Sequence, residues 1–162
     1  MATMLHLELA QKAGPLDRLV DVVRATATQF ELLARVSESP DPRRVTFYLH
    51  SGLLVDVDPP FVSGVDPFIA DFGMARATTV DFTFDSSHEG FEQQDDEMLR
   101  LTFGLLEAVA SDAVLHYEYS EVYLARLGGR LLLSDDDVVW PPEELARVPV
   151  LYERAHLAFR TM

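Results

Sequence analysis

Residues 113–133 read AVLHYEYSEVYLARLGGRLLL. Two β-like runs, Ala113–Tyr119 and Glu121–Leu127, follow one another, and Gly128-Gly129 turns the chain tightly into a third, Arg130–Leu133. No helix separates them. Strands that arrive in hairpin-sized groups, rather than one per helix, predict a mostly antiparallel sheet.

Working outward, the same grammar recurs upstream. Met4–Ala10 alternates, with Leu5, Leu7 and Leu9 on one face and Met4, His6 and Glu8 on the other. Gly14-Pro15 opens a helix whose stripe is Leu16, Leu19, Val20, Val23, Ala27, Phe30 and Ala34, and Ser39-Pro40-Asp41-Pro42 stops it. Val45–His50 and Leu53–Asp58 form a hairpin about Ser51-Gly52, and Phe61–Arg76 is irregular. Thr78–Asp85 sets Val80, Phe82 and Phe84 against Thr79, Asp81 and Thr83. Phe91–Ala110 is a second long helix, with Glu92, Asp95, Asp96 and Glu97 at the positive end of its dipole. After Ser134, Pro142 starts a short helix, and Val150–Phe159 is expected to form a last one. The order is β α β β β α β β β α. It predicts a single α+β domain over residues 1–162, with both long helices on one face of the sheet.

The chain has 162 residues, 27 acids, 13 bases and no cysteine, for a formal charge of −14. That length and its 48% hydrophobic residues can bury a continuous core. Zero Cys excludes disulfides, cysteine-ligated metals and thiol chemistry. An acidic balance argues against nucleic acid, which needs a basic face. Neither an export signal nor an 18-residue apolar span is visible, so a cytoplasmic protein that does not enter the membrane is expected.

Local motifs carry little chemistry. Ala70-Asp71-Phe72-Gly73 contains the kinase tripeptide but lacks every other kinase element. None of His6, His50, His88, His116 and His156 makes a His-x-x-x-His pair, and His6 and His116 read as surface or lightly paired positions. Glu153-x-x-His156 has no second pair to complete a di-iron site. Asp135-Asp136-Asp137 fails the calcium-loop spacing and reads as a solvated turn. No cofactor or metal is expected.

Charge is the feature that stands out. Nearly all the acidic excess falls between residues 81 and 146, where only Arg100, Arg126 and Arg130 oppose it. A clustered negative field steers basic partners. Trp140, the only Trp, stands between the aspartate run and Pro141-Pro142, where it can be a core plug or an aromatic anchor at an interface.

Glu92-Gln93-Gln94-Asp95-Asp96-Glu97-Met98-Leu99-Arg100-Leu101, Gly104-Leu105-Leu106, Asp112–His116, Leu124–Leu131 and Asp136-Asp137-Val138-Val139-Trp140-Pro141-Pro142 together resemble the Sit-type immunity family of bacterial toxin-protection proteins. The similarity covers residues 65–145, and the N-terminal third agrees in its strand–helix plan. The resemblance implies a non-enzymatic protein that binds and neutralises a cognate toxin. An acidic protein would suit a basic toxin. The residues expected to make that surface are Glu92, Asp95, Asp96, Asp135, Asp136, Asp137, Trp140, Glu143 and Glu144. Two rival readings are a small hydrolase or metal enzyme built on His116 or His88 with carboxylates, and a module that self-associates through the Phe-rich strand Val80–Phe84.

Overall fold

In a computed structural model, which describes residues 3–10, 16–38, 44–58, 70–74 and 77–160, the elements run β1 (Thr3–Ala10), α1 (Leu16–Gln29), β2 (Leu33–Glu38), β3 (Val45–Leu49), β4 (Leu54–Asp58), β5 (Ala77–Phe84), α2 (Phe91–Ala108), β6 (Ala113–Tyr117), β7 (Glu121–Leu127), β8 (Arg130–Ser134), α3 (Pro142–Leu145) and β9 (Glu153–Ala155). The strands make one open sheet in the order β2-β3-β4-β5-β1-β6-β7-β8-β9. Every pairing is antiparallel except β8 with β9. The architecture is the expected α+β.

The first strand in the chain is central. Leu7 faces Val80 on one side and Leu115 on the other, and Leu5 faces Phe82. The pleat sends Leu5, Leu7 and Leu9 to one face, where they join Leu19 and Val23 of α1 and Leu101 and Leu105 of α2 in the main core. The two helices lie antiparallel on this face: Arg18 donates to the Ala108 carbonyl at 3.3 Å, and Thr26 meets Gly104. A Cβ on Gly104 would lie 2.7 Å from Thr26 Cγ2, so only glycine permits this approach. Gly104→Val is expected to cost about 2 kcal/mol through overpacking, read as a lower urea midpoint.

Arg126 of β7 terminates α2. Its guanidinium donates to the carbonyls of Leu106 and Val109, and its Nε donates to Ser111 O at 2.7 Å. The last carbonyls of a helix have no intrahelical donor, and one cation serves Leu106 in the last turn, the capping Val109 and Ser111 just beyond.

The opposite face has a smaller core of Met74, Val114, Val122, Ala125 and Phe159. Here the kinase-like tripeptide has a structural role. Phe72 packs edge-on against Phe159 at 5.4 Å, and Asp71 Oδ2 accepts the Arg160 N–H at 2.7 Å, so the turn tacks the C-terminal segment to the sheet.

Three expectations are corrected. The first helix ends at Gln29, not Ala34; Glu31 takes a left-handed backbone (φ 56°), and the residues beyond it pair with β3 as β2. Val150–Phe159 is not a helix, because Glu153–Ala155 pairs with Leu132–Ser134 as β9. The strand Val80–Phe84 offers no edge for self-association, since β5 is paired with β4 and β1 and its aromatic face is buried. The Gly14-Pro15 start, the Ser39–Pro42 stop and most of Phe61–Arg76 lie outside the described residues.

Candidate functional site

The start of α2 is fixed by its inner side. Gln94 is fully buried; its amide donates to Ser51 O at 2.7 Å and to Asp85 O at 3.2 Å, and its Oε1 accepts the Asp85 N–H at 2.9 Å. One turn on, the buried Glu97 accepts the Ser51 hydroxyl. Because Gln94, Glu97, Met98 and Leu101 face inward, the helical period turns Glu92, Asp95 and Asp96 towards solvent.

The structure brings Asp95 together with residues far along the chain. Glu144, in the single turn α3, feels the charge of Asp95. Loss of water holds both carboxyls above the usual carboxylate range, and for Glu144 the repulsion of Asp95 adds to it. Tyr123 sits among them, and burial, with the charges of Glu121, Asp95 and Glu144, pushes its phenol up to about 12. Asp96 is different: it holds Arg100 at 2.7 Å and Arg147 at 3.3 Å, and Arg100 also lies over the Phe30 ring. Glu143 is exposed beside Glu144.

The aspartate run belongs to another neighbourhood. Asp137 pairs with Arg154 at 3.2 Å, Asp135 lies 3.7 Å from His156, and Asp136 accepts the Val138 N–H at 2.8 Å. These three carboxylates are engaged by β9 and by their own turn.

Trp140 is the correction to the expected surface. It is 0% exposed, and its indole N–H donates to Tyr123 O at 2.6 Å, so it is a core plug and presents no side chain to a partner. Its contribution is indirect: it seats Pro141-Pro142 and therefore α3 beside α2.

Beside this acidic corner runs a groove of about 1260 Å³, bounded by α1, the outer face of α2 and residues 147–151. Val150 is 50% exposed and Leu151 97%. The sequence reading missed Glu121, Tyr123, Arg147 and this apolar rim. The signal is faint: Val150 and Leu151 follow Pro149 and fall within the helix expected over Val150–Phe159.

The sheet's other face holds a histidine cluster, also unforeseen. His6 Nδ1 bonds Asp81 Oδ1 at 2.6 Å, and its ring stacks on His116 at 5.1 Å. His116 is fully buried; its Nδ1 accepts the Tyr119 N–H at 3.1 Å, and its Nε2 faces Glu8 Oε1 at 3.5 Å. Thr79 donates to the other Glu8 oxygen at 2.8 Å. Phe159 covers the His116 ring edge-on at 5.3 Å, so His116 is not at the surface, while His6 is paired with Asp81. His88 accepts the Gly90 N–H at the start of α2. Among the described residues, no three His, Asp or Glu are arranged to hold a metal ion.

The bond to Asp81 raises the His6 pKa above 6.5, against the opposing effect of burial. Its stabilisation is therefore complete below the unfolded pKa and is lost as pH rises through the higher folded value. His6→Gln is expected to flatten the fall in urea midpoint on the alkaline side of pH 6.5; parallel profiles for the two proteins would show that the pair contributes nothing.

None of the described helices is long and apolar enough to cross a membrane. A family model described as SitI3-like matches residues 6–144, from β1 into α3. The match takes in the N-terminal third as well as residues 65–144. No curated protein matches the chain.

Proposed function

Since the chain belongs to the SitI3-like family, a Sit-type immunity family, we propose that it binds a cognate toxin and neutralises it without chemistry of its own, from the cytoplasm. The surface is the acidic corner where α2 meets α3: Glu92, Asp95, Asp96, Glu143 and Glu144. The toxin is basic. The observation that supports this reading is that the charge of Asp95 on α2 reaches Glu144 on α3. The Asp95 charge works against an ionised Glu144, and an incoming Arg or Lys converts that repulsion into attraction. Asp96 supports the pair by positioning Arg100 and Arg147. Asp135, Asp136 and Asp137 add long-range field, because their local contacts are already made within the chain.

Growth rescue tests the reading. The protein is co-expressed with a candidate toxin domain, and wild type is expected to restore growth. With that toxin, Asp95→Lys/Glu144→Lys is expected to slow association roughly tenfold in low salt and much less near 0.5 M salt, where charges are screened within a few ångströms. Equal rates for wild type and variant at both ionic strengths would remove the corner from the interface.

A further inference from the structure

We propose that the groove along the outer face of α2 seats one helix of the partner, about three turns long, with an apolar stripe flanked by Arg or Lys. The inference rests on the toxin-binding reading for the partner's identity, and on the groove itself for the shape and chemistry of what enters.

Size comes first. The groove's volume, about 1260 Å³, exceeds the few hundred to one thousand Å³ of small-molecule sites, so it suits a segment of polypeptide. Its α2 wall runs from Asp96 to Ala108. At 1.5 Å per residue that is roughly 18 Å, just over the length of three helical turns.

Backbone chemistry then selects a helix over a strand. The α2 wall has its main-chain groups bonded within the helix, and the carbonyls at its end are taken by Arg126. An extended guest would find no ladder there, whereas a helix satisfies its own backbone. Phe103, Val148, Val150 and Leu151 supply apolar contact on both sides. An exposed pair such as Val150 and Leu151 at a groove rim is the form that interaction surfaces take.

Charge sets the guest's flanks. The three arginines lining the groove are engaged within the chain: Arg100 and Arg147 with Asp96, Arg147 also offsetting part of the charge at Glu144, and Arg126 with main-chain carbonyls. Among the described residues, no cation lies within ion-pair distance of Asp95 at the corner or of Glu107 and Glu144 in the groove. A guest with basic flanks meets these carboxylates. A second copy of this chain, at −14, would bring acid against acid.

The test uses the intact isotope-labelled protein and a synthetic twelve-residue peptide. The peptide carries Leu at positions 1, 4, 5, 8 and 12, Arg on the flanks and helix-forming residues elsewhere. Amide shift changes are expected along α2 and residues 147–151, with binding weakened at least tenfold by Val150→Asp/Leu151→Asp. These side chains are exposed, so the variant is expected to keep its wild-type circular dichroism and melting curve. A peptide with the same stripe and Glu flanks is expected not to bind. Shifts centred elsewhere, no shifts, or equal binding of the Glu-flanked peptide would overturn the proposal. So would a wild-type dimer, seen by light scattering, that Val150→Asp/Leu151→Asp dissolves, since the groove would then belong to a second copy. Growth rescue separates the two claims. If wild type rescues but the rim variant rescues equally well, the groove assignment fails and toxin binding stands; if the basic peptide binds but no toxin is rescued, the reverse holds.

Discussion

Trp140→Ala is expected to lower folding stability by about 3–5 kcal/mol, the largest loss of any single substitution considered for this chain. The side chain is fully buried in the main core, and its indole N–H is spent on Tyr123 O. Truncation removes the ring's buried area, opens a cavity and leaves a carbonyl unpaired. Trp140→Phe keeps most of the area and loses only the hydrogen bond, so its cost should be about 1–2 kcal/mol. Denaturant midpoints by circular dichroism measure both, and an alanine variant within about 1 kcal/mol of wild type would contradict the packing role. The effect should also reach the acidic corner. With α3 no longer seated, Glu144 is not held near Asp95, and the proposed toxin binding should weaken even at temperatures where the variant remains folded.

Arg126→Met is expected to cost about 2–4 kcal/mol, because hydrogen bonds from a charged donor contribute about 1.5–3 kcal/mol and three carbonyls lose theirs together. Methionine keeps an apolar stem, so the loss isolates the guanidinium. Burial already holds the Arg126 pKa below its ordinary value, a cost offset by bonds to Leu106, Val109 and Ser111. Hydrogen exchange should show the damage locally, as lost protection over residues 105–109. Arg126→Lys can reach one carbonyl but not three, so it should recover only part of the stability. Full recovery by lysine would mean that charge, not the forked geometry, closes the helix.

How much of this was legible follows from where each signal is stored. β1, β3, β4, β5, α1, α2 and the β6–β8 meander announce themselves because each carries its own period and is bounded by Gly, Pro or Ser turns. β2 does not. Phe30 and Ala34 continue the phase of α1, and only the register with Val45–Leu49 makes a strand of the residues that follow. β9 is three residues long and pairs with β8 across an intervening helical turn, so no local pattern marks it. The acids of the site were visible one by one, but their grouping was not. Asp95 meets Glu144 because Trp140 anchors α3, while Asp135 and Asp137 turn to His156 and Arg154. Trp140 itself misleads in sequence, since an aspartate run and two prolines surround it; the extended backbone at Pro141 (ψ 155°) lets the ring turn inward while the chain stays at the surface. The histidine cluster was hidden for a related reason: the alternation in β1 shows that His6 leaves the main core, but not that Phe159 closes over the far face.

The central place of β1 has a consequence for how the protein is made. On the ribosome this strand emerges ahead of both its neighbours, and at about 5–20 residues per second the roughly 70 residues separating it from β5 take several seconds to follow. Through that interval Leu5, Leu7 and Leu9 have neither flank covered. A nascent chain halted before β6 therefore leaves one edge of β1 without its neighbour.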